Sequence, residues 1–235
     1  MDISYTRYRI YRECPEKYKY LFEDGRRIPL DGRASFGLSL HRVLETWLRG
    51  ADCSLESLQD ALRSRWLSVG YPDEASESRA YAKAERVLVR FHGDESSRRA
   101  RLIGAEKEFA WPLGRHEVRG MIDRIDQLPD GAYELVDYKT GPSVPTPAQV
   151  ADDLQLRFYA LGAKRGLGID AAVLTVDCVA AGKRVSVPYD PSGEAALTAD
   201  IVAAADAIEA GEFSACALYC PRCDFRAECP HSTAK

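Results

Sequence analysis

Apolar positions recur at helical spacing through the first hundred residues, and then give way to alternation. Ser4 is placed to cap a first helix, which Pro15 interrupts. Leu40, Val43, Leu44, Trp47 and Leu48 line one face of a predicted helix over Ala34–Arg49, with Gly50 past its end. Helical stretches over Leu55–Leu67 and Glu74–Phe91 follow, divided by Gly70-Tyr71-Pro72. Strands are predicted over Leu102–Trp111, Glu117–Gln127 and Tyr133–Lys139, with turns at Pro112-Leu113-Gly114 and Pro129-Asp130-Gly131. Thr146-Pro147-Ala148-Gln149 combines a cap, a first-turn proline and a capping box, and predicts a helix running to about Arg165. Strands over Ala171–Val179 and Arg184–Pro188, a helix over about Ala195–Ala210 and a cysteine-rich tail complete the order: helices, then β-β-β-α-β-β-α.

Composition narrows the class. A 46% hydrophobic and 29% charged chain of 235 residues is an ordinary globular sequence, with no sign of disorder or low complexity. No apolar run reaches the roughly 18 residues that cross a bilayer, and MDISYTRYRIYRE has no secretory apolar core. A cytoplasmic protein with reduced thiols is expected. The net charge of −4 gives no general attraction for nucleic acid, but it is unevenly spread. Residues 83–101 carry six Lys/Arg against three Asp/Glu, whereas residues 142–215 carry five against ten. The N-terminal half therefore offers a basic surface to a polyanion, or simply solvated helix faces. There is no G-x-x-x-x-G-K-[ST] loop, so no ATP site of that type is expected.

The hairpin around Pro129-Asp130-Gly131 carries the chemistry. Centred on Asp130, it sets Asp123 opposite Asp137, with side chains about 5 Å apart on one face. Lys139, two residues beyond Asp137, shares that face. Two opposed carboxylates repel, and a divalent cation relieves them. Oxygen ligands suit Mg²⁺ or Mn²⁺. A neighbouring ammonium can stabilise charge that develops on a phosphate. The same register pairs Asp126 with Glu134 near the turn, where both are expected to be solvated unless a bulge shifts the pairing.

Gly120-x-Ile122-Asp123 followed by Asp137-Tyr138-Lys139-Thr140-Gly141 resembles the PD-(D/E)XK nuclease superfamily, and in particular its RecB-like branch. Gln155-Leu156-Arg157-Phe158-Tyr159 is similar to that branch's Gln-x-x-x-Tyr, which puts Gln155 and Tyr159 on one helix face. Phe36-Gly37-Leu38-Ser39-Leu40-His41 fits its upstream histidine. The resemblance implies His41, Asp123, Asp137 and the Tyr138 carbonyl as metal ligands. It implies Lys139 as the catalytic lysine, with Gln155 and Tyr159 positioning that lysine and the DNA. Glu106 lies where the branch often has an acid and is expected no closer than behind the ligands. His92, His116 and His231 match no motif. The second acid is Asp137, a form similar to much of the branch.

Cys220, Cys223 and Cys229 form C-x2-C-x5-C, with Cys14 standing 206 residues before Cys220. Their spacing suits tetrahedral zinc or an iron–sulfur cluster. The resemblance implies a [4Fe–4S] cluster, as in AddB-type and CRISPR-associated adaptation nucleases, on Cys14, Cys220, Cys223 and Cys229. Cys216 is a rival ligand. Cys53 and Cys178 read as incidental thiols.

The expectation is therefore an α/β (α+β) protein with a restriction-endonuclease-like αβββαβ core, a central mixed sheet, an N-terminal helical segment and a C-terminal cluster-binding tail. It is read as one domain over 1–235: helices over 34–100, the catalytic core over 101–190, and the cluster region from Cys14 and 213–231. The implied activity is a Mg²⁺- or Mn²⁺-dependent DNA nuclease, with a single-strand exonuclease favoured, acting in repair, recombination or CRISPR adaptation. A helicase or CRISPR-adaptation protein is the expected partner. The alternative is a non-catalytic DNA-binding or scaffold module within such a complex; the presence of Asp123, Asp137 and Lys139 together argues against it.

Overall fold

The computed structural model describes residues 1–233. Among the described residues it has six strands, β1 (Asp2–Ser4), β2 (Arg101–Leu113), β3 (His116–Gln127), β4 (Tyr133–Lys139), β5 (Ala171–Cys178) and β6 (Lys183–Pro188). The α-helices are α1 (Tyr5–Glu13), α2 (Pro15–Tyr18), α3 (Gly32–Arg49), α4 (Leu55–Arg65), α5 (Glu74–Ser96), α6 (Pro147–Ala151), α7 (Leu154–Gly162) and α8 (Glu194–Glu209). This is the expected mixed α/β arrangement. The chain divides into two compact units. One comprises Met1–Ile28, Ala110–Gly120 and the described residues from Pro191 onward, and the other Pro29–Phe109 with Met121–Asp190.

In the first unit, β1 lies parallel to the start of β3, pairing Ile3 with Val118. The Ser4 hydroxyl accepts the Arg7 N–H and starts α1. Pro15 forces the residue before it out of the helical region, so Cys14 is extended at φ −163° and the helix breaks there. α8 buries Leu197, Ile201 and Ile208.

The second unit holds the sheet core in the order β3–β4–β5–β6, with β2 also on β3. β3/β4 and β5/β6 are antiparallel and β4/β5 is parallel, so the sheet is mixed. Gly131 takes φ +90°, a conformation open to glycine, and the Asp130 carboxylate accepts the Ala132 N–H at 3.0 Å to close the hairpin turn. The resulting register pairs Arg124 with Val136 and Asp126 with Glu134, as a hairpin centred on Asp130 requires. Leu40, Val43, Leu44 and Trp47 of α3 pack with Leu58 and Leu62 of α4, Leu88 and Phe91 of α5, and Val136 and Tyr138 of β4.

Two expectations change. The helix expected from Thr146 to about Arg165 is broken. Thr146 and Gln149 form their capping box, but α6 ends at Ala151, and the Asp153 carboxylate accepts the Leu156 N–H at 3.0 Å to cap a fresh helix. Asp126 and Glu134 are buried rather than solvated, at 0% and 5% exposure. Arg98 reaches both carboxylates, Arg124 Nε donates to Asp126 at 2.8–2.9 Å, and Arg184 donates to Glu134 at 3.1 Å. Opposed like charges are tolerated here because guanidinium groups separate them.

Candidate active site

Every side chain of the site belongs to the second unit. β3 presents Asp123 and β4 presents Asp137, each largely withdrawn from solvent at 9% and 1% exposure. The Tyr138 N–H donates to Asp123 Oδ2 at 2.9 Å, so the hairpin backbone itself orients the first acid. Strand alternation puts Lys139 beside Asp137, as expected, with Nζ 2.7 Å from Asp137 Oδ2. That contact is an ion pair by distance but lacks hydrogen-bond alignment, and Asp137 Oδ2 has no hydrogen-bond partner among the described residues.

α7 fixes the lysine. Lys139 Nζ donates to Gln155 Oε1 at 2.9 Å, and Gln155 Nε2 donates to the Tyr159 hydroxyl at 3.0 Å. The i, i+4 relation on α7 brings Gln155 and Tyr159 together. α7 lies tight in its place: a Cβ on Gly162 would come within 2.5 Å of the Phe109 ring. α3 supplies His41, whose Nδ1 sits 3.6 Å from Asp123 Oδ2. The helix approaches closely because residue 37 is glycine. A Cβ there would stand 2.8 Å from Thr140 Oγ1, just beyond β4.

Glu106 stands nearer the centre than expected. One ligand atom each from His41, Glu106 and Asp123 lie within 4.8 Å of one another. Asp137 lies outside that trio and faces Lys139. Glu106 reaches its place by a left-handed backbone, φ +46°, an uncommon state for a residue with a Cβ. Arg49 of α3 braces this turn, donating to the carbonyls of Ala105 at 3.1 Å and Glu106 at 2.8 Å. Strand alternation carries no signal for such a kink, which is why Glu106, expected behind the ligands, stands among them instead.

The electrostatics ask for a cation. Burial, then the Asp123 and Glu45 carboxylates, push the Glu106 carboxyl up to about 7, against the Arg49 guanidinium. Burial also raises Asp137. The Lys139 ammonium opposes that rise, and Asp123 adds to it. Burial keeps the Tyr159 phenol protonated far into the alkaline range. An imidazole, two adjacent carboxylates and a buried carboxylate oxygen without a hydrogen bond form a donor set that fits a divalent metal ion.

The first unit gathers a second set of donors. Cys14, Cys216, Cys220, Cys223 and Cys229 line one small cavity together with Tyr20 and Lys17. The Cys216 N–H donates to Cys14 Sγ at 3.4 Å. All of these thiols are free rather than joined in disulfides. Five sulfurs from two distant stretches of chain suit a metal or an iron–sulfur centre, and Cys216 stands among them as a fifth. Cys178 is buried and Cys53 exposed; neither lines this cavity.

Among the described residues, no helix is long and apolar enough to cross a membrane. No curated protein matches the chain. Among solved structures, that of the protein SSO0001 is similar at 14% identity and a TM-score of 0.49, covering 99% of this chain and 87% of that one. The sequence model of the PD-(D/E)XK nuclease superfamily matches residues 2–230. Because that match encloses both acids, the lysine and the helix that holds it, the chain belongs to the PD-(D/E)XK nuclease superfamily, whose members are metal-dependent nucleases acting on nucleic acid.

Proposed function

We propose that the protein is a Mg²⁺- or Mn²⁺-dependent deoxyribonuclease of the RecB-like branch that degrades single-stranded DNA from an end. The observation that carries the reading is the junction of two groups. A His41–Glu106–Asp123 trio, with one ligand atom of each within 4.8 Å of the others, stands beside an Asp137–Lys139 pair held by Gln155. His41, Glu106, Asp123, Asp137 and the Tyr138 carbonyl would hold the ion. When bound, a divalent cation supplies Lewis acidity that makes water a better nucleophile and takes up charge on the phosphate.

The chain's own residues do the rest. The Tyr138 amide holds Asp123 in one rotamer. Gln155 holds the Lys139 ammonium against Asp137, where it meets charge developing on a phosphodiester oxygen without reorganising. Tyr159 orients Gln155 through its hydroxyl. The single-strand and exonuclease parts of the proposal rest on the family resemblance. So do roles in repair or CRISPR adaptation and a helicase or adaptation-protein partner.

The cavity cysteines support a structural [4Fe–4S] cluster on Cys14, Cys220, Cys223 and Cys229. Such a centre would join the first helical turns to the tail and add folding free energy. Visible absorbance with iron and sulfide in anaerobically purified protein would support it. Colourless protein with stoichiometric zinc would overturn it.

The test of the nuclease reading is digestion of end-labelled single strands with each metal, by the natural protein and by Lys139→Ala. Cleavage should fall about 100-fold or more in the variant while DNA binding persists. Equal cleavage by both proteins would remove the assigned role. Binding without cleavage by the natural protein would leave a scaffold module.

A further inference from the structure

On α3, Arg42, Glu45, Thr46 and Arg49 follow i, i+3, i+4, i+7 spacing and so share one face. That face lines a groove of about 550 Å³ whose other wall is the end of α4 and the residues after it, Ser64 to Leu67. Three guanidinium groups, Arg42, Arg49 and Arg65, line it against one carboxylate, Glu45.

The three arginines are not equivalent. Arg49 is committed: it pairs with Glu45 at 2.8 Å and braces the Ala105 and Glu106 carbonyls. Arg65 uses only its Nε, on Thr46 Oγ1 at 3.0 Å. Arg42 is exposed and engages no partner among the described residues. Two cations thus line the groove with donor capacity to spare.

Arg49 links this groove to Glu106. Arg49 also lines a second, open groove of about 670 Å³ that contains Glu106, the ligand candidate beside His41 and Asp123. Arg42 to Arg49 spans about 10 Å along the helix, enough to follow a strand past more than one phosphate.

We infer that the α3–α4 groove seats the sugar-phosphate backbone of the DNA strand being cut, with Arg42 and Arg65 contacting phosphates away from the scissile one. This rests on the nuclease reading above, and it names the track that delivers the strand to Glu106. Guanidinium contacts to phosphate position the strand and read no base sequence, so the groove accepts any sequence. The Arg49 it shares with the groove that contains Glu106 favours the scissile strand over an acidic protein partner.

The test uses a fluorescein-labelled oligothymidylate and the full chain in a chelator, with affinity followed by anisotropy across a salt series. Removing one cation from the phosphates of a single strand lowers the slope of log affinity against log salt by about 0.7. Arg42→Gln/Arg65→Gln should lower it by about 1.4 and weaken binding at every salt concentration. Arg63→Gln, on α4 but outside the groove, should keep the natural slope. Thermal unfolding of each variant provides the folding check, and Arg42→Gln alone gives a second reading should the double variant not fold. An unchanged slope in Arg42→Gln and the double variant, or an equal drop in Arg63→Gln, overturns the groove while leaving the nuclease reading intact. A natural protein that neither binds nor cuts any strand overturns both.

Discussion

Lys139 Nζ donates to Gln155 Oε1 at 2.9 Å, so the proposed catalytic lysine on β4 is held by a neutral amide on α7. An amide oxygen orients an ammonium without adding a charge that would compete for it. Gln155→Ala should free the ammonium to swing and lower cleavage about 10- to 100-fold, with little change in thermal stability. Gln155→Glu should retain a bond to Lys139 but add a carboxylate beside Asp137. A single-turnover rate equal to that of the natural protein in Gln155→Ala would show that Lys139 needs no such support.

Arg124 is withdrawn from solvent and donates to Asp126, to Glu95 and, at 3.3 Å, to the Tyr138 hydroxyl. Removing one partner of a buried ion cluster leaves the others uncompensated. Arg124→Met should destabilise the protein by about 3–5 kcal/mol in urea unfolding, and removing Asp126 as well should recover part of that loss. A change below about 1 kcal/mol would show that Arg98 and Arg184 suffice.

Tyr8 of α1 donates its hydroxyl to Asp200 of α8 at 2.5 Å. Burial, and then this bond, raise its pKa from 10.0 to about 12. A raised folded pKa favours the protonated folded state. The contribution is therefore whole below pH 10 and is lost as pH climbs to about 12. The stability advantage of the natural protein over Tyr8→Phe should shrink across that interval. An advantage that stays constant through alkaline unfolding would refute the assignment.

Short-range chemistry made the hairpin register legible: a Pro-Asp-Gly turn with glycine at φ +90° sets the pairing, and alternation then puts Lys139 beside Asp137. The Thr146–Gln149 capping box was equally local. The break before α7 also had a local signal in Asp153, overshadowed by the helical pattern on either side.

Three other features depend on partners far along the chain. Glu106 joins His41 and Asp123 only because a left-handed residue, braced by Arg49 from another element, turns its carboxylate inward. Asp126 and Glu134 are buried only because Arg98 and Arg184 arrive from distant segments to neutralise them. Cys216 joins Cys14 and the tail thiols only because both stretches fold around one cavity. The sequence alone determined most of the elements, the hairpin register and the types of donor, since these follow from backbone preference and side-chain period. Only the tertiary structure decided which donors meet and which charges are tolerated out of water, because both require groups distant in the chain to arrive at the same place.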